Sequence, residues 1–342
     1  MPIATVEWKN KRVKLIDQRL LPHKLEFIYC DSAEEVWDAI RRMKIRGAPA
    51  LGVIAGYGVY LGIRNSKKNF FRDLQKTTKY LATSRPTARN LFWALERMER
   101  VALNNKKESP DRLKKILLDE AGLILKEDKK ICRKMGKFGS GLIKKNDVIL
   151  THCNAGGLAT ADYGTALGVI FAAHHEGKKI KVYADETRPV LQGARLTAWE
   201  LMREGIDTTL ISDNMAAYLM SKKKIDKVIV GADRIAANGD VANKIGTYSL
   251  AISAHYHKVP FYVVAPLSTI DTRIKSGKSI PIEERDPDEV RKIGGVYISP
   301  KKVKVFNPAF DVTPARLVTV IVTEKGVLRK PFARSIREAY RT

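Results

Sequence analysis

The sequence contains few cysteines and none of the motifs that hold a metal ion. Its 342 residues include three cysteines, Cys30, Cys132 and Cys153, which are odd in number and far apart. This spacing excludes a disulfide framework and suits a reducing cytosol. CxxC, HExxH and close clusters of Cys and His are absent, so the sequence indicates no metal site.

Long apolar runs and nucleotide-binding glycine motifs are also missing. No apolar run approaches the ~20 residues that a membrane helix needs, and the opening stretch MPIATVEWKNKRVKLIDQ lacks the apolar core of a signal peptide. We therefore expect a cytoplasmic protein that does not enter a membrane. No GxGxxG follows a strand-like run and no GxxxxGK[ST] is present, which argues against a nicotinamide or P-loop site.

Acidic residues are scarce relative to basic ones. The chain has 62 Lys and Arg against 37 Asp and Glu, a formal net charge of +25. The excess is +15 over residues 1–140 and +10 over residues 141–342, so it is spread along the chain. No zinc finger, RNP-type motif or long basic arm accompanies it. We interpret the charge as suited to a small anionic ligand rather than to nucleic acid.

Residues 1–140 are predicted to form a mainly helical N-terminal domain. Two strand-like pieces come first, VEWKNKRVKLIDQ and KLEFIYC. Ser32 and Glu35 then make a capping-box pattern ahead of apolar residues at helical spacing. This helix is expected to end at RGAP, with Gly47 in the left-handed conformation after its last turn and Pro49 starting the next helix. Further helices are predicted over residues 84–103 and 110–135.

From about residue 146 the pattern changes to alternating strands and helices. The β-branched runs are DVILTH, KIKVYAD, TTLISD, KVIVGAD and PFYVVAP, with amphipathic stretches between them. This alternation predicts right-handed βαβ units, and so a Rossmann-like, doubly wound parallel sheet in a C-terminal domain over residues 141–342. Ligands bind beyond the carboxyl ends of such strands. The polar residues at those ends are Cys153, Asp185, Glu186, Asp213, Asn214, Asp233 and Arg234.

Cys153 lies at one of these strand ends, in ILTHCNAGGLATADYGTALG. A buried structural thiol is the simplest interpretation of an isolated cysteine. The glycines that follow could instead let main-chain N–H groups face an anion at a helix start, which would lower the pKa of the thiol, whereas apolar surroundings would raise it. The sequence leaves both open. Adjacent strand residues point to opposite faces of a sheet, so we expect a structural role for His152.

Eight motifs occur in order from about residue 46 to residue 285. They are RGAPALG, SRPTARNL, THCNAGGLAT, DETRPVLQGARLTAWEL, DNMAA, GADRIAANGDVANKIGTY, FYVVAPLSTID and IPIEER. Together they resemble the methylthioribose-1-phosphate isomerase family of methionine salvage. Ribose-1,5-bisphosphate isomerases and the regulatory subunits of translation initiation factor 2B share its fold, and a fold alone does not decide among functions. HCNAGGLAT, DETRPVLQGARLTAWEL and IPIEER are the motifs more specific to the methylthioribose enzymes.

The resemblance implies a homodimer, no cofactor, and Cys153 with Asp233 as the catalytic pair. The substrate-binding residues that it implies are Arg46, Gly47, Ala48, Arg85, Gln192, Asn243 and Lys244. Structural alternatives exist for several of these. Asp233 could cap the following segment, Arg46 could complement a helix dipole, Arg85 could be a surface residue, and Gln192 a turn residue.

The chemistry of an aldose-ketose isomerase explains why these residue types would be needed. Carbon C1 of methylthioribose 1-phosphate carries the phosphate, so no free aldehyde forms easily. An acid must protonate the ring oxygen, a role that suits Asp233, and hydrogen must move from C2 to C1 with Cys153 as base or as stabiliser. Arg46, Arg85, Lys244 and the amides of residues 154–157 are candidates to hold the phosphate. A ribose-1,5-bisphosphate isomerase and a non-catalytic regulatory subunit are the alternative functions.

Overall fold

The computed structural model describes residues 3–341 of the chain. Contact density divides these residues into two compact units. The first reaches to Arg133 and includes the segment Gly156–Gly164, and the second consists of Lys134–Ala155 and the chain from Thr165 onward. The domain boundary expected at residues 140 and 141 stays a prediction. No helix in the described part of the chain is both long enough and apolar enough to span a membrane.

The first unit is mainly helical, as the sequence predicts. Its elements are β1 (Val6–Lys9), β2 (Arg12–Ile16), β3 (Phe27–Cys30), α1 (Ala33–Arg41), α2 (Ala48–Ile63), α3 (Phe70–Ala82), α4 (Arg89–Asn104) and most of α5 (Pro110–Ser140). The three strands form an antiparallel sheet. Helix α2 is buried on nearly all sides and packs against α1, α3 and α4. Gly62 permits the close approach of α3, because a Cβ there would lie 2.4 Å from the Thr77 side chain.

The two ends of α1 show one correct and one wrong prediction. At its start, the Ser32 hydroxyl accepts a hydrogen bond from the N–H of Glu35 at 3.2 Å, as the capping pattern predicts. The prediction for its end is wrong, since α1 stops at Arg41 and Met43 takes the left-handed conformation, with φ of 54°. Gly47 instead precedes α2 with φ of 98°. Pro49 lies in the first turn of α2, as expected.

The second unit contains the alternating strands and helices. Its elements are β4 (Val148–Thr151), α6 (Ala166–His175), β5 (Lys181–Asp185), α7 (Ala198–Arg203), β6 (Asp207–Ile211), α8 (Ala216–Ser221), β7 (Lys227–Val230), β8 (Arg234–Ala236), β9 (Val241–Lys244), α9 (Thr247–Tyr256), β10 (Phe261–Val264), β11 (Ile270–Asp271), α10 (Asp288–Arg291), β12 (Lys292–Ile293), β13 (Val296–Tyr297), β14 (Phe310–Thr313), β15 (Val320–Thr323), β16 (Gly326–Leu328) and α11 (Phe332–Ala339). A four-stranded sheet has the order β11-β8-β9-β14, and β12 pairs with β13.

The main sheet of this unit has seven strands in the order β16-β15-β10-β7-β4-β5-β6. All neighbouring pairs are parallel except β15 with β16. The chain therefore runs from β4 outward through β5 and β6, then returns to the other side of β4 for β7, β10 and β15. This is the doubly wound arrangement that the sequence predicts, and its strand order reverses between β4 and β7. Every residue of β7 and β15 is buried, as expected for a parallel sheet covered on both faces.

Candidate active site

Cys153 lies two residues beyond the end of β4 in a backbone conformation that few non-glycine residues adopt. Its φ is 64°, in the left-handed region. Its N–H donates a hydrogen bond to Oγ1 of Thr187 at 2.8 Å, and its carbonyl accepts one from Oγ1 of Thr197 at 2.6 Å. Thr187 itself has φ of 64°. Backbone conformations of this kind persist where the surroundings hold them and are concentrated at active sites.

Asp233 lies at the corresponding end of β7, immediately before β8. Its N–H donates to the carbonyl of Ala242 in β9 at 2.9 Å, which anchors the turn. Strands β4 and β7 are parallel neighbours, so Cys153 and Asp233 follow the two strands that flank the point where the strand order reverses. In doubly wound sheets the crevice outside this point is the ligand site. The fold thus places the predicted pair at one edge of the sheet on adjacent strands.

Gln192 follows β5, the neighbour of β4 on its other side. It precedes a π-helical turn over Gly193–Thr197 and is buried. Gly193 permits this course, because a Cβ there would lie 1.6 Å from the Asp185 carbonyl oxygen. Among residues 3–341, Oε1 of Gln192 has no hydrogen-bond partner. A buried acceptor without a partner suits a donor from a bound molecule, such as a sugar hydroxyl.

Asn243 and Lys244 end strand β9 and are both buried. The side-chain amide of Asn243 donates to Oγ1 of Thr247 at 3.0 Å. Nζ of Lys244 donates to the carbonyl of Ala309 at 2.9 Å and lies 4.9 Å from the ring centroid of Phe310. Buried lysines are rare in proteins, so this position provides an unusual positive charge in the unit that carries Cys153 and Asp233.

The glycine-rich segment after Cys153 does not start an α-helix, so that prediction is wrong. Gly157–Ala159 make a single 3-10 turn, and α6 begins only at Ala166. The N–H of Thr165 donates to the carbonyl of Ala155 at 2.9 Å, which closes the residues between them into a loop. The main-chain N–H groups of this stretch are therefore not lined up at the start of an α-helix.

Four of the predicted substrate-binding residues lie in the first unit. Arg46 is buried two residues before the start of α2, Ala48 is the first residue of that helix, and Arg85 is half-buried in the loop between α3 and α4. A Cβ on Gly47 would lie 2.5 Å from Cα of Ala159. Within this unit, the RGA motif thus packs against the final part of the HCNAGGLAT motif.

His152, which directly precedes Cys153 in the chain, forms a cluster with Asp185 and Asp213, in which the first two side chains are buried and Asp213 is half-buried. Nδ1 of His152 lies 2.9 Å from Oδ2 of Asp185, and Nε2 lies 2.9 Å from the carbonyl oxygen of Ile245. Asp213 accepts hydrogen bonds at 2.7 Å from the N–H groups of Thr187 and its successor. One ligand atom from each of the three residues falls within 4.8 Å of the others. Because these atoms already share hydrogen bonds with the protein, the cluster fits a structural network.

The protonation of His152 follows from its partners. Burial alone lowers the pKa of His152, but the hydrogen bond and charge of Asp185, the Ile245 carbonyl and the charge of Asp213 outweigh it, and the pKa of His152 is raised. A backbone carbonyl only accepts, so Nε2 carries a hydrogen. Burial raises the pKa of Asp185 as well, so the two residues titrate as a coupled pair.

Sequence reasoning missed the two threonines that hold the main chain of Cys153. Thr187 and Thr197 both lie within the DETRPVLQGARLTAWEL motif, but nothing in their spacing from residue 153 shows that they meet it. Thr197 also accepts a hydrogen bond from the side chain of Asn154, whose amide reaches Glu200 as well, at 3.0 and 2.8 Å. The available signal was the length of DETRPVLQGARLTAWEL, because a motif that only binds a ligand does not need so many residues.

Comparison with known proteins gives close relatives over the whole chain. One is the methylthioribose-1-phosphate isomerase of Geotalea uraniireducens, 55% identical over 98% of this chain and 99% of its own. The 5-deoxyribose 1-phosphate isomerase of Moorella thermoacetica is 53% identical, with 98% of this chain and 97% of its own covered.

Two solved structures are also similar, one named as an isomerase and the other as a translation initiation factor subunit. The 5-methylthioribose 1-phosphate isomerase of Pyrococcus horikoshii OT3 has a TM-score of 0.91 and 47% identity, covering 100% of this chain and 96% of its own. A structure named translation initiation factor eIF-2B, subunit delta, from A. fulgidus has a TM-score of 0.87 and 46% identity, covering 99% and 100%.

The family assignment follows from these matches. Residues 44–330 match the initiation factor 2 subunit family, and relatives at 53–57% identity carry the isomerase name over nearly their full length. The alternating strands, the mainly helical first unit and the motif set agree with this outcome. The chain belongs to the initiation factor 2 subunit family and, within it, to the methylthioribose-1-phosphate isomerases.

Proposed function

We propose that this protein converts 5-methylthioribose 1-phosphate to 5-methylthioribulose 1-phosphate, with Cys153 and Asp233 as its catalytic residues. One observation carries the proposal: the two side chains follow β4 and β7, the parallel neighbours that flank the reversal of strand order. Thiol and carboxyl chemistry is thereby available at the position where this fold binds ligands. The held conformation of the Cys153 main chain adds support.

The reaction is an internal redox step that needs no external oxidant. Asp233 gives a proton to the ring oxygen as the bond between C1 and that oxygen breaks. Hydrogen then moves from C2 to C1, and the C2 hydroxyl loses its proton as C2 becomes the ketone, so that C1 is reduced and C2 is oxidised. Cys153 acts on this transfer, either by taking the C2 proton and returning it at C1 or by stabilising a hydride shift. General acid-base steps of this kind contribute about 10²–10⁴-fold each.

Substrate binding is assigned to the remaining predicted residues. Arg46, Arg85 and Lys244 are the cations that would hold the phosphate, since guanidinium groups bind phosphate oxygens in pairs. The buried Oε1 of Gln192 would accept a hydrogen bond from a sugar hydroxyl. The further members of the set are Gly47, Ala48 and Asn243.

A sugar 1-phosphate with a smaller apolar group at C5 is the second candidate substrate. The Moorella thermoacetica relative is named for 5-deoxyribose 1-phosphate, which differs from the first substrate only at C5. Ribose 1,5-bisphosphate is the third candidate, and it would require a second cationic subsite at that end.

Three parallel assays test this assignment. Pure protein is offered each sugar phosphate, with EDTA present and no nicotinamide added, and ketose formation is followed by NMR. We expect kcat/KM to be highest for the methylthio compound, because it buries the larger apolar group. No ketose from any of the three would contradict the proposal and favour a non-catalytic regulatory subunit.

We further propose that the protein acts as a homodimer in the cytoplasm. In support, several large apolar side chains of the second unit are exposed, among them Tyr256 and Phe306 at about four-fifths of their surface. Sedimentation equilibrium gives the mass directly, and we expect twice the 38.4 kDa of one chain. A monomer at micromolar concentration would contradict the dimer without affecting the assigned reaction.

A further inference from the structure

His152 joins two loops that the proposed reaction uses separately. It follows β4 and directly precedes Cys153, but its ring reaches Asp185 at the end of β5 and the Ile245 carbonyl just after β9. Only 2% of its surface is exposed. A side chain with two hydrogen bonds to two different strand ends fixes their spacing in a way that packing alone does not.

The Ile245 side of His152 is linked to Lys244 by further hydrogen bonds. The N–H of Ile245 donates to the carbonyl of Ala309 at 3.0 Å, and the same carbonyl accepts from Nζ of Lys244 at 2.9 Å. A Cβ on Gly246 would lie 2.9 Å from Cε1 of His152, so the ring packs directly on the main chain of this loop. Movement of the imidazole would therefore move the loop that begins directly after Lys244.

The Asp185 side of His152 is linked to Cys153 by further hydrogen bonds. The Asp185 carbonyl accepts from Oγ1 of Thr187 at 3.0 Å, and this same Oγ1 accepts from the N–H of Cys153. The charged groups that face the ring are Asp185, Asp213 and Asp311, from β5, the end of β6 and β14. Both ring nitrogens lie 2.9 Å from oxygen atoms that can accept a hydrogen bond, an arrangement that suits an imidazolium, which donates from both nitrogens.

We propose that His152 is a positioning residue, an imidazolium held between Asp185 and the Ile245 carbonyl that sets the spacing between the Cys153 loop and the Lys244 loop. This inference rests on the proposed function for its effect on turnover, but not for its effect on the thiol. Beside an ionised Asp185, a neutral imidazole donates from one nitrogen only, so it would release one of the two loops. Asparagine and glutamine each replace one ring nitrogen and have the same limit.

The first test is the charge of the ring itself. With ¹⁵N-labelled histidine, one of the six imidazoles should keep both nitrogens protonated to a higher pH than free histidine does, and this signal should be absent from His152→Gln. Loss of the signal from the wild type at or below the pH at which free histidine titrates would overturn the proposal. The measurement needs neither substrate nor activity.

The second test is the position of the thiol, with His152→Gln, Asp185→Asn and the matched control His175→Gln. His175 pairs with Glu204 on the surface and keeps 45% of its side chain exposed. We expect iodoacetamide to alkylate Cys153 at least threefold faster in the first two variants, with the pH midpoint unchanged, and at the wild-type rate in the control. An unchanged alkylation rate would overturn the proposal. A shift in the pH midpoint of alkylation with an unchanged maximal rate at high pH would also overturn it, because that result would indicate a purely electrostatic effect.

Kinetics separates this proposal from the proposed function. We expect kcat to fall at least tenfold in His152→Gln and in Asp185→Asn, with the double variant no worse than either, because the two residues act as one unit. Additive losses would overturn the pairing. If the wild type converts none of the sugar phosphates, the proposed function fails, while the ¹⁵N and alkylation results still decide the role of His152. If His152→Gln does not fold, Asp185→Asn supplies the same comparison.

Discussion

The main-chain N–H of Cys153 donates a hydrogen bond to the hydroxyl of Thr187, 2.8 Å away, and both residues have φ of 64°. Two left-handed, non-glycine residues that hold each other are unusual. Because the hydroxyl of Thr187 also donates to the Asp185 carbonyl at 3.0 Å, a single side chain connects the Cys153 loop to the end of β5. The main-chain conformation of Cys153 therefore depends on the hydroxyl of Thr187, together with that of Thr197 on its carbonyl.

Replacement of that hydroxyl is expected to impair turnover more than folding. Thr187→Val keeps the branched shape and leaves the N–H of Cys153 without its acceptor, which costs about 1–3 kcal/mol in the free energy of unfolding. We expect kcat to fall at least tenfold, since Cys153 then loses one of the two hydroxyl groups that hold its main chain. Thr187→Ser, which keeps the hydroxyl, is the control and should retain most of kcat. Equal kcat in both variants would contradict the role of the hydroxyl.

Cys153→Ser is expected to lower kcat by orders of magnitude without unfolding the protein. A hydroxyl is a much weaker acid than a thiol and a harder nucleophile. The matched control is Cys30→Ser, because Cys30 is buried and burial raises its pKa to about 12. That variant should lose stability but keep its turnover. Near-normal kcat in Cys153→Ser would return the residue to a structural role.

The selectivity of alkylation tests independently whether Cys153 is the reactive cysteine. Cys132 is also buried, and burial, followed by the charge of Asp128, raises the pKa of its thiol well above the ordinary value. Cys153 is only half-buried, so it should be the thiol that reacts, and substrate should protect it.

The reaction in deuterium oxide separates the two roles proposed for Cys153. Deuterium at C1 of the ketose would identify a proton transfer, whereas retention of the C2 hydrogen would favour a hydride shift or a shielded proton transfer.

Asp233→Asn should leave a folded protein with 10²–10⁴-fold lower kcat, the usual contribution of a general acid. An amide has the size of the carboxyl group but cannot give the ring oxygen a proton. Asp207→Asn serves as the control, because Asp207 lies on β6 with 55% of its side chain exposed. Turnover within a few-fold of the wild type in Asp233→Asn would remove Asp233 from the acid role.

The stability of the protein is expected to fall as pH rises through the titration of Asp128. Burial raises the pKa of Asp128 from 3.8 to about 7, although the N–H of Ala161 donates to it. The folded state therefore binds the proton more tightly than the unfolded state, and this contribution is complete below pH 4 and lost by about pH 7. At about 1.4 kcal/mol per tenfold change, the loss is on the order of 4 kcal/mol.

Urea unfolding at several pH values measures this loss. Asp128→Asn, which stays neutral, should remove most of the decline between pH 4 and pH 7 and should exceed the wild type in stability at pH 8. Asp111→Asn on the same helix is the control, because 94% of the Asp111 side chain is exposed, and its pH profile should match the wild type. A wild-type profile that rises over this interval by the same amount would contradict the assignment.

Gly47→Ala is expected to destabilise the first unit strongly. Gly47 combines φ of 98° with a Cβ position only 2.5 Å from Cα of Ala159, which belongs to the backbone and cannot rotate away. The left-handed conformation alone costs about 1 kcal/mol for alanine, and the contact adds to it. Gly122→Ala is the control, since a Cβ there meets nothing within 4 Å inside α5, and it should stabilise by about 0.5–1 kcal/mol. If Gly47→Ala and Gly122→Ala shifted the melting temperature in the same direction, the role assigned to Gly47 would be contradicted.

The sequence alone determined the elements whose signals are local. Ser32 caps α1 through a residue three positions away, and the charged stretch from residue 110 forms α5, which extends to Ser140, five residues beyond its predicted end. The alternation of β-branched runs with amphipathic stretches was enough to predict a doubly wound sheet, because strand and helix periods are properties of short windows. The family motifs were equally readable, since they need only the order of residues.

Only the tertiary structure decided which of these elements meet. The helix end expected at Gly47 was wrong because the chain already takes the left-handed conformation at Met43, and Gly47 instead packs against Ala159, more than a hundred residues away. The helix start expected after Cys153 was wrong because Thr165 closes the loop onto Ala155 instead. The adjacency of β4 and β7 and the two partners of His152 likewise depend on contacts between distant segments. Such contacts are set by packing and hydrogen bonding across the fold, and no local pattern of residues records them.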